Sequence, residues 1–331
     1  MKYKTLGRSG MKVSEIGFGA WTLGLDWWGK KIEEDEGKRM LKKAYDLGIN
    51  FFETADMYGR GITEKLIGQV FKGMRNEVII STKYGYDFAN AEQIGHAELP
   101  QSFESEFTRK ALNASLERLQ TDYVDVYGMH NPKLNHIRND AIFDLFDKLI
   151  QEGKIKSSQV ALGPAIGWTQ EGLEAMERNS ISAVQTVYNI LEQTPGNELI
   201  EKAEKQNVGI LVRVPDASGI LTGKVKAETV IPSNDHRKDR KQEWRQDALR
   251  KVEQFRPIAE RNGLTITEFA IKFILSKKSI ASVLPTVVSV EEIESFAAIS
   301  DGKYLNSSDM KEIDNLYNTW PAYELKATQA N

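Results

Sequence analysis

The sequence contains no cysteine, and this absence excludes several kinds of chemistry. Disulfide bonds, cysteine-ligated zinc, iron–sulfur clusters and thiol nucleophiles all require that residue. Histidine is scarce as well. Only His96, His130, His136 and His236 are present, and no two of them stand at the spacing of metal ligands. We therefore expect no metal site.

The sequence also lacks a long hydrophobic run and a strong excess of charge of either sign. No window offers the roughly 18 apolar residues of a membrane-spanning helix, and Met1–Gly7 lacks the apolar run of a signal peptide. A net charge of −3 and a pI of about 6.0 give no strong attraction to nucleic acid or anionic lipid. We expect a soluble cytoplasmic protein with one domain over residues 1–331.

Short apolar runs alternate with longer amphipathic segments along the chain. The first 14 residues, with Gly-Arg-Ser-Gly at 7–10, predict a β-hairpin around a glycine-containing turn. Eight candidate strands follow, at Glu15–Phe18, Phe51–Thr54, Val78–Thr82, Val124–Gly128, Gln159–Leu162, Ala183–Tyr188, Ile210–Val214 and Ser282–Pro285. Helical patterns lie between them, near residues 34–47, 64–73, 108–119, 140–151, 169–177, 197–206, 243–262 and 290–299.

Eight strands that each precede a helix indicate a parallel sheet, and the rules of crossover handedness and closure then favour a barrel. An open, doubly wound sheet is the alternative. The first strand is followed by Gly17-Phe-Gly19-Ala-Trp21 rather than by G-x-G-x-x-G, and no composition break divides the chain. The sequence therefore predicts an α/β chain folded as a (β/α)8 TIM barrel, with an N-terminal β-hairpin and an extra C-terminal helix.

Two connections are longer than a βα loop requires, at residues 84–100 and 216–242. The second contains the charge-dense run Asp235–Lys241. A solvated surface loop explains such a run. A lid over a ligand explains it equally well, because loops on this face of a barrel carry function.

Polar side chains follow three consecutive strands of the predicted barrel. Glu53 and Tyr58 follow the second strand, Lys83 follows the third and His130 the fourth. Because the carboxyl ends of barrel strands face the active site, we expect these four groups to share one mouth. Each alone has a structural explanation, as a packing tyrosine, a rim ion pair or a turn cap. Their joint placement favours catalysis.

The four groups suit proton donation to an oxygen that becomes negative. A free phenol has a pKa of about 10, and a nearby ammonium lowers that value. The imidazole helps to place the substrate oxygen, while a carboxylate keeps the lysine charged and oriented. The set lacks a nucleophile–base pair for acyl transfer. What remains is carbonyl polarisation, with the second reactant supplied by a cofactor such as a hydride donor.

Motifs in the correct order resemble the aldo-keto reductase family over nearly the whole chain. They are Leu6–Ser14, Gly17–Gly24, Thr54–Gly59, Ser81–Lys83, Asp122–Asp125 before His130, Val184–Asn189 and Gly219–Lys224. The resemblance implies hydride transfer from NADP(H), or else NAD(H), to an aldehyde or ketone. It also implies that Tyr58 is the general acid, Lys83 its pKa-lowering partner and His130 the substrate-orienting group.

The resemblance further implies where the cofactor binds. The positions are Ala20, Trp21, Gln185, Arg213, Val214, Pro215, Gly219, Leu221, Lys224, Ser289 and Glu292. The substrate pocket is expected to be broad and aromatic, lined by Trp21, Trp27, Trp28, Tyr86 and parts of the two long loops.

Several positions depart from the family pattern near the reacting groups. Glu53 replaces an aspartate, and its extra methylene bears on how it pairs with Lys83. Ala161 and Leu162 replace a polar pair that grips the nicotinamide amide. Arg213 stands where an aromatic residue usually stacks on the nicotinamide. A cation there repels the oxidised ring, so this contact favours the reduced, neutral one.

Further departures fall at the adenosine end of the cofactor. Val288 occupies the position of a basic residue and Phe296 that of an asparagine. A 2′-phosphate then needs a cation from elsewhere, because it carries close to two negative charges. Lys224 and the run Arg237–Lys241 are the candidates.

Three functions compete. The first is an NADP(H)-dependent carbonyl reductase that acts on a small carbonyl compound. The second is an isomerase, lyase or sugar-modifying enzyme that keeps the acid–base set and uses a nucleotide internally or not at all, as the altered cofactor positions suggest. The third is a non-catalytic binding subunit on an enzyme scaffold. The sequence does not fix the substrate or the oligomeric state.

Overall fold

A computed structural model describes residues 1–88, 99–163 and 168–320. Strands β1 (Tyr3–Thr5) and β2 (Lys12–Ser14) pair antiparallel, which confirms the predicted hairpin. Between them Gly10 has a φ of 73°, a left-handed conformation that glycine adopts without strain.

Eight parallel strands form the barrel, and this confirms the predicted fold. Their order in the sheet follows the chain without interruption, and a bridge between Ile16 and Val283 joins the first strand region to the last. Two hydrogen bonds make the bridge, from Gly17 N to Val283 O (2.9 Å) and from Val283 N to Glu15 O (2.8 Å). The strands are β3 (Phe18–Gly19), β4 (Phe51–Glu53), β5 (Ile79–Tyr84), β6 (Val124–His130), β7 (Ile155–Ala161), β8 (Ile181–Val187), β9 (Gly209–Arg213) and β10 (Ile280–Leu284).

Strand β7 begins four residues earlier than the sequence pattern predicts. Its first half reads Ile155-Lys-Ser-Ser158, which lacks the apolar run that marks a buried strand. Ser158 is nevertheless buried, because its hydroxyl donates to Ser180 O at 2.7 Å. A partner on a neighbouring segment therefore satisfies the polar side chain, and this partner lies too far along the chain to be read from the pattern.

Helices surround the barrel, and the predicted C-terminal helix is present. They are α1 (Glu34–Asp46), α2 (Ile62–Val70), α3 (Ser105–Leu119), α4 (Leu134–Ile137), α5 (Asp140–Gln151), α6 (Thr169–Met176), α7 (Gly196–Gln206), α8 (Gln242–Arg261), α9 (Ile266–Leu275), α10 (Val290–Ile299) and α11 (Ser307–Thr319).

Two helices, not the single one predicted near 243–262, connect β9 to β10. The missed helix is α9, whose residues 269–275 are all buried, so it has no polar face to give a helical stripe. Even Lys272 is buried, with its ammonium donating to Asp301 (2.6 Å). The capping box of Thr265 and Glu268 was the usable signal: the Glu268 carboxylate accepts from Thr265 N at 2.8 Å.

The barrel interior explains which side chains reach the mouth. Alternate residues of each strand point inward, and the hairpin residues Leu6 and Val13 pack against the inward-facing residues near the amino ends. Burial of each such side chain stabilises the fold by about 1.5–3 kcal/mol. The inward residues of this apolar layer are Phe51, Val126, Ala183 and Leu211. Two positions further along β4, β8 and β9, the same alternation brings Glu53, Gln185 and Arg213 to the carboxyl-end mouth.

Candidate active site

The structure brings the four predicted catalytic side chains together. Glu53 ends β4, Lys83 lies in β5 and His130 ends β6, and these three strands are neighbours in the sheet. Tyr58 begins the 3₁₀ turn Tyr58–Gly61, which starts five residues after the end of β4 at Glu53. Glu53, Lys83 and His130 are buried.

Lys83 and Glu53 form a buried ion pair at the base of this mouth. The ammonium also donates to Thr54 O at 2.8 Å, and Gln185 Nε2 donates to Glu53 Oε1 at 3.1 Å. The extra methylene of glutamate therefore does not prevent the pairing. Burial alone would lower the pKa of Lys83, but Glu53 and Tyr58 outweigh it and raise that pKa, so the lysine is charged.

Tyr58 lies directly against the lysine. The Lys83 ammonium is 4.5 Å from the centroid of the Tyr58 ring. Burial raises the pKa of Tyr58 above its ordinary value, while the charge of Lys83 and its hydrogen bond to the phenol act to lower it. The lysine thus has the predicted direction of effect, but the net pKa is raised, because desolvation of the phenolate outweighs it.

His130 is a neutral imidazole beside the phenol. Its ring meets Tyr58 edge-on, with centroids 5.8 Å apart, and Tyr86 in the same manner at 5.1 Å. Burial lowers the pKa of His130 well below its ordinary value, and the positive charges of Lys83 and Arg213 lower it further. Nδ1 is buried and has no hydrogen-bond partner in the part of the chain that the structure describes. A neutral imidazole has one nitrogen that donates and one that accepts, which suits contact with a carbonyl oxygen.

Two polar residues that the sequence did not single out support His130. Asn131 has a φ of 54° and donates from Nδ2 to Tyr86 Oη at 2.8 Å. Gln101, from the connection after β5, donates to the backbone oxygen of His130 at 2.9 Å. Asn131 directly follows His130, so its position was a usable signal. The contact of Gln101 spans 29 residues and had none.

Asp56 is a buried carboxyl group near the mouth. Burial and the neighbouring carboxylate of Glu64 raise the pKa of Asp56 well above its ordinary value. Glu64 forms an ion pair with Arg118, whose Nε donates to it at 2.6 Å. The surroundings of Asp56 therefore favour its uncharged form.

Arg213 reaches across the mouth from the end of β9. Its Nη2 donates to the backbone oxygens of Leu162 and Gly163, which follow β7. Since β8 lies between β7 and β9, the guanidinium spans the end of β8, where Gln185 points inward. Ala161 and Leu162 can therefore offer only backbone groups to a bound cofactor. Pro164 lies outside the described residues.

The cofactor positions near the chain's carboxyl end form one cluster. Lys224 forms an ion pair with Glu292 at 2.7 Å, and Glu292 also accepts from Val288 N at 2.9 Å. Ser289 caps α10, because its hydroxyl accepts from Glu292 N. Phe296 is buried in the main apolar core, so this residue faces away from any polar ligand.

The remaining cofactor positions line the loops after β3 and β9. Ala20 and Trp21 begin the 3₁₀ turn Ala20–Leu23, and Val214 to Gly219 form a tight loop that includes Pro215. Three non-glycine residues of that loop, Val214, Ala217 and Ser218, have a left-handed φ. Further along the chain, the backbone oxygen of Leu221 accepts a hydrogen bond from Thr267 Oγ1 at 2.9 Å.

The long charged loop lies against the tryptophans of the first βα connection. His236 packs between Trp21 (5.5 Å between ring centroids) and Trp28 (5.2 Å). Arg237 lies over the Trp28 ring at 4.2 Å and pairs with Asp235, which is buried. The part of the loop at 235–237 is therefore packed against the first βα connection, whereas residues 226–228 and 232–234 are exposed.

Arg240 is fixed by a second contact of the same loop. Its guanidinium forms an ion pair with the buried carboxylate of Glu192 at 2.7 Å and stacks over Trp244 at 4.2 Å. The arginines of the predicted phosphate-binding run are thus already paired with acidic side chains. Any phosphate would have to compete with these carboxylates.

Residues 1–88, 99–163 and 168–320 contain no group of three or more His, Asp or Glu side chains placed to hold a metal ion. Within the same ranges, every helix is too short or too polar to cross a bilayer.

The fold and the mouth place the chain among the (β/α)8-barrel enzymes. A family model described as the Aldo/keto reductase family matches residues 15–318. The chain therefore belongs to the aldo/keto reductase family, and it is an oxidoreductase of a class that uses nicotinamide cofactors.

Individual relatives agree with this assignment. The aldo-keto reductase YhdN of Bacillus subtilis (strain 168) is 29% identical over 328 residues, which is 96% of this chain and 93% of that protein. The holo form of aldo-keto reductase AKR11C1 from Bacillus halodurans matches with a TM-score of 0.78 at 26% identity, over 96% of each chain. The glycerol dehydrogenase AKR11B4 from Gluconobacter oxydans matches with a TM-score of 0.80 at 24% identity, over 93% of each chain, and supports the fold alone.

Proposed function

We propose that the protein is an NADP(H)-dependent reductase that converts an aldehyde or ketone to an alcohol. The observation that carries the proposal is the arrangement of Tyr58 between the Lys83 ammonium and the neutral His130 ring. This arrangement supplies a proton donor, a positive charge for the developing oxyanion and a neutral hydrogen-bonding group, all at one mouth.

The residues of the mouth act on the carbonyl oxygen of the substrate. His130 orients that oxygen, and Tyr58 Oη donates its proton to it as negative charge develops. The Lys83 ammonium stabilises the phenolate that remains, and Glu53 holds the ammonium in place. A reduced nicotinamide, when bound, supplies the hydride. The raised pKa of Tyr58 in the free protein keeps the phenol protonated and ready to donate.

The residues present fit a nicotinamide nucleotide. Gln185 uses Nε2 for Glu53, so its Oε1 can accept from the carboxamide. At the adenosine end of the cofactor, the side chain of Lys224 is 70% exposed and pairs with Glu292. Glu292 also accepts a hydrogen bond from Val288 N, so this carboxylate stays bonded when Lys224 turns to a phosphate. We propose NADP(H) on the strength of Lys224 and the cations at 237–241. NAD(H) is the alternative, because each arginine of that run is already paired.

The charge at the mouth also favours one oxidation state of the cofactor. Lys83 is neutralised by Glu53, whereas Arg213 brings a positive charge to which no carboxylate of the described residues is bonded. An oxidised nicotinamide carries a positive charge and would be repelled. We therefore expect the reduced form to bind more tightly, which suits a reductase.

Titration with nicotinamide nucleotides tests the proposal. NADPH and NADH are added separately to the purified protein, and the dissociation constants are measured by nicotinamide fluorescence. Saturable binding of NADPH, tighter than that of NADP⁺, is expected. If neither reduced nucleotide binds at millimolar concentration, the proposal is wrong.

One observation favours the second candidate function, an isomerase, lyase or sugar-modifying enzyme with internal or no use of the nucleotide. Phe296 is buried in the core, and Ala161 and Leu162 offer no side-chain hydrogen bond to a carboxamide. Such an enzyme would turn over without net oxidation of added nucleotide. A reductase oxidises one NADPH for each carbonyl group that it reduces, whereas the second candidate does not. Measuring the loss of NADPH absorbance together with the loss of carbonyl compound therefore distinguishes the two functions.

A further inference from the structure

The guanidinium of Arg213 has donors that the described protein leaves unused. Nη2 is anchored by Leu162 O and Gly163 O, which fixes the position of the group above β8. Its Nε is buried and has no hydrogen-bond partner among residues 1–88, 99–163 and 168–320. An unpaired buried donor is costly, because it loses its hydrogen bonds to water, so a folded protein seldom keeps one without a use.

Arg213 faces the reacting groups. The alternation along β9 points it inward, two residues beyond the interior residue Leu211. The ionisable groups whose charges act on it are Tyr58, Glu53 and Tyr86, and all of them border the mouth. A ligand atom bonded to Arg213 therefore lies in the same mouth as Tyr58.

Arg213 has no counter-ion among the described residues. Its hydrogen-bond partners there are the backbone oxygens of Leu162 and Gly163, whereas Lys83 is paired with Glu53. An anionic ligand would supply the missing counter-ion, and hydrogen bonds between an ionised donor and an ionised acceptor are roughly twice as strong as neutral ones.

We propose that the substrate is a carbonyl compound with a carboxylate close to its carbonyl group, and that Arg213 binds this carboxylate. The inference rests on the proposed reductase function and specifies its substrate class. For a 2-oxo acid, the carbonyl carbon gains a hydride from a reduced nicotinamide nucleotide and the oxygen gains the Tyr58 proton. The product is a 2-hydroxy acid. Water returns a proton to Tyr58, and the carboxylate keeps its charge throughout.

A matched pair of substrates tests the proposal. Benzoylformate and its methyl ester share the same ketone and differ in the negative charge. We measure kcat/KM for both with NADPH and compare their ratio in the wild type, Arg213→Gln and Arg213→Lys. The control is Arg60→Gln, which removes an exposed arginine two residues from Tyr58.

The wild type is expected to prefer benzoylformate. Arg213→Gln should lower the ratio of benzoylformate to ester by about ten- to a hundredfold, the size expected for a lost charge-assisted hydrogen bond. Arg213→Lys keeps the charge but not the planar fork, and should retain part of the preference. Arg60→Gln should leave the ratio unchanged.

Other results would overturn the proposal. One is a wild-type preference for the ester, or a ratio that Arg213→Gln does not alter. A second is a weaker NADPH affinity in Arg213→Gln with an unchanged ratio, since the arginine would then serve the cofactor.

Failure of the reductase function itself is recognised separately, because the wild type would then reduce neither ketone. Calorimetric binding of benzoylformate, abolished by Arg213→Gln, would still support the anion site. Equal binding of acid and ester, or none of either, would refute it.

Discussion

The Lys83 ammonium is enclosed between the Glu53 carboxylate and the backbone oxygen of Thr54, with neither side chain of the ion pair exposed. A buried ion pair contributes little net stability, because desolvation offsets the attraction between its charges. Its loss by removal of one partner is costly, since the other charge stays buried and unpaired. The pair therefore serves to hold a charged lysine against Tyr58.

Glu53→Gln should destabilise the protein by roughly 3–5 kcal/mol, because it leaves the Lys83 ammonium buried without a counter-ion. Glu53→Asp keeps the charge and should cost far less. Urea denaturation at pH 7 measures both free energies of unfolding. Equal losses for the two variants would show that the carboxylate acts by packing and not by charge.

His130→Gln should reveal that the buried imidazole is neutral. The folded-state pKa of His130 lies well below 6.5, whereas the unfolded chain takes up a proton near that value. As pH falls below 6.5, the wild type should lose stability relative to the variant, by about 1.4 kcal/mol for each pH unit. Urea denaturation at several values between pH 7.5 and 5.5 measures this difference. A constant difference would mean that His130 titrates normally in the fold.

Asp216→Asn should show the opposite dependence on pH. Asp216 is buried, and burial raises its pKa from 3.8 to about 6. The wild type should therefore lose stability relative to the variant as pH rises from about 4 to 7, by up to roughly 3 kcal/mol. Urea denaturation of both proteins at several values between pH 4 and 7 measures this difference. A pH-independent difference would contradict the raised pKa.

Neutralising the four cations at 237–241 should weaken NADPH binding, if this run helps to hold a phosphate. The loss should be largest at low ionic strength and shrink as salt is added. Nicotinamide fluorescence gives the dissociation constants at two salt concentrations. The control replaces four exposed cations of outer helices and surface turns, Lys42, Lys72, Lys110 and Lys148. Unchanged affinity in the 237–241 variant would leave Lys224 as the remaining candidate.

Most of the fold could be predicted from local sequence patterns. Apolar runs marked the strands, and amphipathic stripes marked the helices that have one polar face. Helix α9 was not predicted, because its residues 269–275 are all buried and give no polar face. The first half of β7 was not predicted, because the hydrogen bonds of its buried serines go to backbone groups that are distant in the sequence. Such partners are set by tertiary packing, which a single sequence does not display.

The catalytic residues of the site could also be predicted from the sequence, but several of its contacts could not. Strand-end positions brought Tyr58, Lys83 and His130 together, since parallel strands of a barrel end at one mouth. The anchoring of Arg213 on Leu162 O and the packing of His236 between two tryptophans were not predictable. Both depend on contacts between segments more than 50 residues apart in the sequence, and the anchoring of Arg213 depends also on a backbone oxygen, which has no sequence signature.

Replacement of Tyr58 by phenylalanine tests the role of the phenol most directly. The change removes one hydroxyl and leaves the ring against Lys83 and His130. We expect carbonyl reduction, followed as loss of NADPH absorbance, to fall by at least about 10²-fold, while the dissociation constant of NADPH stays within about twofold. Turnover that survives the substitution would contradict the assignment of Tyr58 as the proton donor.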